Sequence, residues 1–263
     1  MKLCKYFDEY GLDVLKNYRL KVTDPTKFND PFEFLPSISG VLNRQIFKRY
    51  LKNRSEFENI SYDEAYEKFK EQFPYPNNLR LAINNTREKL RNLIRVLCFS
   101  NFELIKPQED ILMWGHYTNS HSGLRITFDI NKIKLDFLQL VKIEYEKKRT
   151  QIDLNDIFID KNKVYEKLTK SLTEKCELWC YEHEYRLLIQ LSECDRIKAN
   201  DKTLDYIKIS PDTVLRVDIG INAGNKFKKN VREILDNQDF SHTEVKFAKT
   251  DDTEYKINYT EQL

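Results

Sequence analysis

The chain has 263 residues, 40% of them hydrophobic, 13% aromatic and 33% charged, with a formal net charge of +2. That composition can build a folded core and excludes a disordered chain. The near balance of charge excludes a globally basic nucleic-acid clamp, leaving only a local basic groove open. With six glycines the chain carries neither a GxxxxGKS/T loop nor a GxGxxG fingerprint, which argues against P-loop and dinucleotide-fold chemistry.

In chain order, residues 2–7 alternate as a short strand, and Tyr10 to Tyr18 reads as a helix with Leu12, Val14 and Leu15 on its apolar side. Arg19 to Thr23 is expected as a second strand. It runs into a turn-rich loop from Asp24 to Glu33, made rigid by Pro25 and Pro31. From about 41 to 95, apolar residues recur at helical spacing (Ile46, Phe47, Tyr50, Leu51; later Leu90, Leu93, Ile94). This predicts an α-helical insertion of about three helices, with Ser61 and Glu64 as a capping box on the middle one. Val96 to Ser100 is expected as a strand, Glu109 to Thr118 as a helix, and Leu124 to Asp129 and Leu138 to Glu146 as strands. Asp153 to about Cys180 reads as mostly one long helix. Strands follow at Tyr185 to Leu191, Leu204 to Ile209 and Val214 to Ile219, then a helix at Asn225 to Asp236 and a closing strand at Thr243 to Ala248. The expected architecture is α+β: one domain over residues 1–263, a mixed β core interrupted by the helical insertion.

The five cysteines, Cys4, Cys98, Cys176, Cys180 and Cys194, form no regular framework. Reduced thiols and a cytoplasmic location are the expectation. No apolar run reaches the length of a membrane span, so no membrane partner is expected. Cys176, Cys180 and His183 have the spacing of three metal ligands, but no fourth is evident; packing thiols are the better reading, and no metal is expected.

Two segments concentrate chemistry: Met113-Trp114-Gly115-His116-Tyr117, and Trp179-Cys180-Tyr181-Glu182-His183-Glu184-Tyr185-Arg186. Glu182 and Glu184 stand two apart where a strand begins, so extended backbone would put both on one face. Such a pair can divide labour, one orienting a sugar hydroxyl and one stabilising positive charge; equally, Glu184 can simply pair with Arg186. His116 beside Tyr117 suits holding a ribose or carrying a proton, and it also suits a helix C-terminus, where it meets the dipole. Arg125 can hold a phosphate by its planar fork, or be an exposed strand arginine. No GxSxG elbow is present, which leaves nucleophilic hydrolase readings little support.

With these residues the chain resembles a broad bacterial family, domain of unknown function 2971. The resemblance runs through Leu3-Cys4-Lys5-Tyr6-Phe7, Phe28-Asn29-Asp30-Pro31-Phe32-Glu33, Cys98-Phe99-Ser100 and the two segments above. The order of elements also resembles that of ADP-ribosyltransferases. In that resemblance Glu184 opens the late strand Tyr185-Arg186-Leu187-Leu188-Ile189, and Glu182-His183-Glu184 is similar to the Glu-x-Glu pattern of that family. Tyr6 departs from the usual His or Arg, and Cys98-Phe99-Ser100 and Ser120-His121-Ser122 are partial stand-ins for a Ser-Thr-Ser motif.

The resemblance implies two facing sheets and NAD as co-substrate. It implies Glu184 and Glu182 as catalytic residues, with Tyr6, Asn29, Asp30, Trp114, His116, Tyr117 and Arg125 around the NAD. Tyr6, Trp114 and Tyr117 would stack on its rings, His116 would hold a ribose hydroxyl, Arg125 would meet the pyrophosphate, and the Asn29-Asp30 loop would close one edge. The implied activity is that of a toxin or antiphage effector that ADP-ribosylates RNA, DNA or protein, with an antitoxin protein as partner. An NAD glycohydrolase and a non-enzymatic nucleotide- or nucleic-acid-binding module are the alternatives.

Overall fold

The computed structural model describes residues 1–72, 77–134, 138–199 and 202–261. Its strands are β1 (Lys2–Phe7), β2 (Arg19–Val22), β3 (Ser37–Ser39), β4 (Ile94–Ser100), β5 (Leu124–Asp129), β6 (Leu138–Lys142), β7 (Glu144–Glu146), β8 (Gln151–Asp153), β9 (Glu174–Cys176), β10 (Glu184–Gln190), β11 (Asp195–Ala199), β12 (Lys202–Lys208), β13 (Val214–Ile219), β14 (Glu244–Thr250) and β15 (Ile257–Thr260). Its α-helices are α1 (Gly11–Asn17), α2 (Arg44–Glu58), α3 (Tyr62–Gln72), α4 (Asn77–Arg91), α5 (Pro107–Tyr117), α6 (Asp156–Ile159), α7 (Lys161–Lys170) and α8 (Asn225–Leu235). The fold is α+β, and the chain divides into two compact units. One comprises Met1–Thr23, Arg95–Ile143 and Leu178–Leu263; the other comprises Asp24–Ile94 and Glu144–Glu177. No helix among the described residues is long and apolar enough to cross a membrane.

The first unit is built on an eight-stranded mixed sheet, ordered β15-β14-β13-β5-β1-β4-β10-β6. β13 and β14 run parallel, whereas β1 is antiparallel to both β4 and β5. Strand alternation sorts the residues of this sheet by chemistry. Leu3, Leu97, Phe99, Leu124, Ile126, Phe128, Leu187, Ile189, Val217 and Ile219 fall on one face and join a single apolar core. α1 adds Val14 and Leu15 to that core, and α8 adds Val231. A three-stranded sheet, β11-β12-β2, shares it through Leu20, Val22 and Ile207. At roughly 1.5–3 kcal/mol for each large side chain buried, this face dominates the stability of the unit.

The opposite face of the large sheet is polar. Register places Tyr6 opposite Arg125 and Cys4 opposite Thr127, then Arg125 opposite Asp218 and Asp218 opposite Lys246. Yet Tyr6, Arg125, Thr127 and Asp218 are all buried. α5 contacts β1 and β15 over this side, and Trp114 and Met113 of α5 form a second cluster with Cys4, Tyr6 and Ala248.

The second unit contains α2, α3 and α4, the three helices expected from the periodicity; residues 73–76 lie outside the described residues. The Ser61 hydroxyl accepts from the Glu64 N–H at 3.1 Å, as an N-cap should. More than residues 41–95 belongs to this unit, because Ile152, Leu154, Val164 and Leu168 complete the core around Leu51, Phe69, Leu79 and Ile83. Phe47 packs on Phe69 with ring centres 4.6 Å apart, and Tyr50 on Phe158 at 5.0 Å.

The long helix expected from Asp153 to Cys180 does not form. That stretch is divided into the end of β8, α6, α7, β9 and a 3-10 segment, Glu177–Glu182. Asp160 breaks it: its backbone is extended and its side chain accepts from the Asn162 N–H at 2.9 Å, so α7 begins afresh there. The expected strand at 138–146 divides too, β6 pairing with β10 and β7 with β9. Five strands, β3, β8, β9, β11 and β15, have no counterpart in the sequence reading.

Candidate functional site

α5 starts after Lys106, whose N–H donates to the Glu109 carboxylate at 2.8 Å, with Pro107 in the first turn. Along it Asp110, Met113, Trp114 and Tyr117 recur at the spacing of one helix face. Trp114 is fully buried and meets Tyr6 edge to face, ring centres 5.6 Å apart. Its indole N–H donates to the Tyr259 hydroxyl at 2.8 Å, and that hydroxyl donates to Asp110 at 2.5 Å. Tyr6 donates to the other Asp110 oxygen at 2.7 Å.

Arg125 completes the cluster. It donates to Asp218 at 2.9 Å and to Asp110 at 3.2 Å, and its guanidinium lies 4.3 Å from the centre of the Tyr259 ring. Burial works against the charge, but Asp218, the two tyrosines and Asp110 outweigh it and hold Arg125 firmly protonated. Burial is also the leading reason that the phenols of Tyr6 and Tyr259 are raised far above their ordinary range and the Cys4 thiol is raised to about 12. Tyr6, Trp114 and Arg125, all expected around NAD, therefore meet in one place. They are engaged there with one another and with Asp110, Asp218 and Tyr259, under the polar face of the sheet. The fork of Arg125 is occupied by carboxylates, and Trp114 has no exposed ring face.

Beyond Tyr117 the chain turns sharply. Asn119, Ser120 and His121 take consecutive left-handed backbones, φ 49, 56 and 65°. The Thr118 hydroxyl donates to the Trp114 carbonyl at 2.5 Å, and the turn delivers Gly123 against β1, where no side chain fits. The end of α5 thereby faces the segment before β10. Tyr117 donates to Glu182 at 2.5 Å, and His116 Nδ1 lies 3.1 Å from the Tyr181 hydroxyl. His116, Trp179 and Tyr181 form a partly exposed aromatic shelf with ring centres 6.0–6.3 Å apart.

Glu182 and Glu184 are both buried, at 4% and 3% exposure. They do not share the face of one extended strand, as the spacing predicted. Glu182 ends the 3-10 segment, His183 has φ 45°, and β10 begins only at Glu184. Glu184 does share a face with Arg186, which donates to it at 2.6 Å and is itself fully buried. Burial, followed by the charge of neighbouring Glu184, raises the Cys98 thiol above its usual range, which places that sulfur beside the carboxylate. His183 reaches Glu109 at 3.1 Å; burial opposes ionisation of Glu109, but the Lys106 N–H and His183 together hold its carboxyl below the usual range.

Asn29 and Asp30 belong to the second unit, where Asp30 is buried and accepts from the Phe32 N–H at 2.9 Å. Among the described residues no three His, Cys, Asp or Glu side chains are placed to hold a metal ion. Sequence reasoning missed Asp110, Asp218 and Tyr259. The signal for the aspartates was present: Asp110 interrupts the apolar stripe of α5, and Asp218 alternates with the apolar residues of β13. Tyr259 left none, because β15 itself was not expected.

No curated protein and no solved structure matches the chain. Residues 113–187, which run from the buried face of α5 through the glutamates to Arg186 and Leu187, match the family model described as Protein of unknown function (DUF2971).

Proposed function

We propose that the first unit consumes NAD as an ADP-ribosyltransferase with a macromolecular acceptor. The observation that supports it is the pair of buried carboxylates before and at the start of β10. Each is oriented by a fixed donor, Tyr117 for Glu182 and Arg186 for Glu184, and Tyr117 adjoins the aromatic shelf. A carboxylate fixed in a water-poor setting is suited to a cation that develops only in the transition state.

In this reading the nicotinamide–ribose bond breaks with its electron pair leaving on nicotinamide. Glu184, held in place by Arg186, faces the oxocarbenium-like ribose carbon. The acceptor's nucleophile then bonds to that carbon, and its proton passes to Glu182. His116, Trp179 and Tyr181 offer flat faces to a nicotinamide or adenine ring. These groups suit the ribosyl half of NAD; Arg125 is not among them, because its fork is taken by Asp110 and Asp218. The same reading makes the chain an effector of toxin or antiphage type, restrained by an antitoxin protein.

The test is incubation with labelled NAD and cell extract, comparing wild type with Glu184→Gln, Glu182→Gln and Trp179→Ala. Circular dichroism checks that each variant is folded. Transfer of label to RNA, DNA or protein by wild type, reduced about 100-fold or more in folded glutamate variants, is expected. NAD left intact by wild type in every condition refutes the proposal. Free ADP-ribose with no labelled macromolecule replaces it with a glycohydrolase.

A further inference from the structure

The second unit contains a cavity of about 350 Å³, within the size range of small-molecule sites. Its charges are unevenly committed. Among the described residues four carboxylates line it, and three of them are engaged inside the unit. Asp30 accepts from the Phe32 N–H at 2.9 Å, Glu33 meets Lys175 at 3.3 Å with both side chains buried, and Glu174 accepts from the Thr150 N–H and hydroxyl at 2.7 and 2.6 Å. The exposed lining residues Lys147, Lys148 and Arg149 face only one further lining carboxylate, the exposed Glu146. Lys147 has a distant partner, Glu177 at 4.0 Å, with both side chains well exposed, so that pair adds little.

An aromatic ring stands beside these cations. Phe32 is 59% exposed although it is a large apolar side chain. The Arg149 guanidinium is fixed near it, 5.4 Å from the ring centre, by donation to the Leu35 carbonyl at 3.1 Å. A flat apolar surface next to a fixed planar cation and two exposed ammonium groups matches a ligand with both an aromatic ring and a phosphate.

We infer that this cavity binds a nucleoside phosphate, free or carried on a single strand, with the base against Phe32 and Arg149 and the phosphate at Lys147 and Lys148. The site lies wholly in the second unit and stands independently of the transferase reading.

The experiment is titration calorimetry of the full chain with adenosine monophosphate, with inorganic phosphate and with a short oligoadenylate. It compares wild type, Lys147→Glu/Lys148→Glu and Phe32→Ala, all altered at exposed positions. Wild type should bind the mononucleotide, the double variant should bind it at least tenfold more weakly, and Phe32→Ala should weaken the nucleotide while leaving inorganic phosphate unchanged. Equal binding by all three proteins, or none by wild type, overturns the inference. Oligoadenylate binding more than tenfold tighter than the mononucleotide, and falling steeply with salt, identifies a strand as the source; equal affinities identify a free nucleotide. Repeating the titration in Glu184→Gln keeps a failure of this inference distinct from a failure of the transferase reading.

Discussion

Replacing Tyr259 with phenylalanine removes one oxygen from the polar network beneath α5 and little else. That hydroxyl donates to Asp110 at 2.5 Å and accepts from the Trp114 indole at 2.8 Å. The bond to the Asp110 carboxyl contributes about 1.5–3 kcal/mol, and leaving the indole N–H of a fully buried tryptophan without an acceptor costs about 1–3 kcal/mol. Asp110 keeps Tyr6 and Arg125 as partners, which limits the loss on its side. About 3–4 kcal/mol is therefore expected. With a urea slope of about 1–3 kcal/mol per M, the unfolding midpoint should fall by about 1–4 M. Trp114 and Trp179, both tryptophans of the chain, lie in the first unit, so intrinsic fluorescence reports on that unit. Tyr255, 90% exposed, supplies the matched control, since Tyr255→Phe should leave the midpoint unmoved. A loss below about 0.5 kcal/mol in Tyr259→Phe would refute the argument, because a partly buried phenol bonded to two buried side chains cannot be that dispensable.

Two further outcomes are expected. A Cβ at Gly123 would stand 1.9 Å from the Phe7 carbonyl oxygen, whereas at Gly224 it would meet nothing within 4 Å. Gly123→Ala should thus abolish the cooperative melt of the first unit while Gly224→Ala melts within a few degrees of wild type. In the second unit burial raises the Asp24 carboxyl, but the Thr26 N–H and hydroxyl and the Arg91 fork more than offset it, so its pKa in the folded protein lies below that of an ordinary aspartate. The resulting stabilisation is present above the unfolded value, about 3.9, and is lost as pH falls through the lower folded value. Protection factors of the amides in α4, which carries Arg91, should fall below about pH 4 in wild type and fall less steeply in Asp24→Asn; identical profiles would contradict the assignment.

Local pattern made most elements legible. β1, β5 and β13 alternate polar and apolar residues, and α1, α5 and α8 carry their own boundaries, so periodicity was sufficient there. It failed between 153 and 180, where one charged, helix-compatible run hides the extended backbone at Asp160. It failed again at Glu182 and Glu184, because two residues of spacing imply a shared face only if the residue between is extended, and His183 is left-handed. Nothing local announces that conformation at a histidine. The candidate site was legible as composition, since Glu182, Glu184, His116 and Tyr117 were all singled out. The pairing of Glu184 with Arg186, two residues apart on one strand, was legible too; Tyr181 and Cys98 were not, because they become neighbours of His116 and Glu184 only through the turn after α5 and the order of strands.

The sequence by itself determined that the large sheet has one apolar and one polar face, since period-2 alternation is a covalent property of the strand. It also determined that α5 has an apolar stripe to bury. Whether the polar face meets water or protein was decided only by the tertiary structure. α5 covers that face and the edge strand β15, far along the chain, adds Tyr259 to it, and only there do Arg125, Asp110 and Asp218 find one another. Ion pairing acts through space and burial. A strand arginine reads the same whether solvent or two buried aspartates surround it.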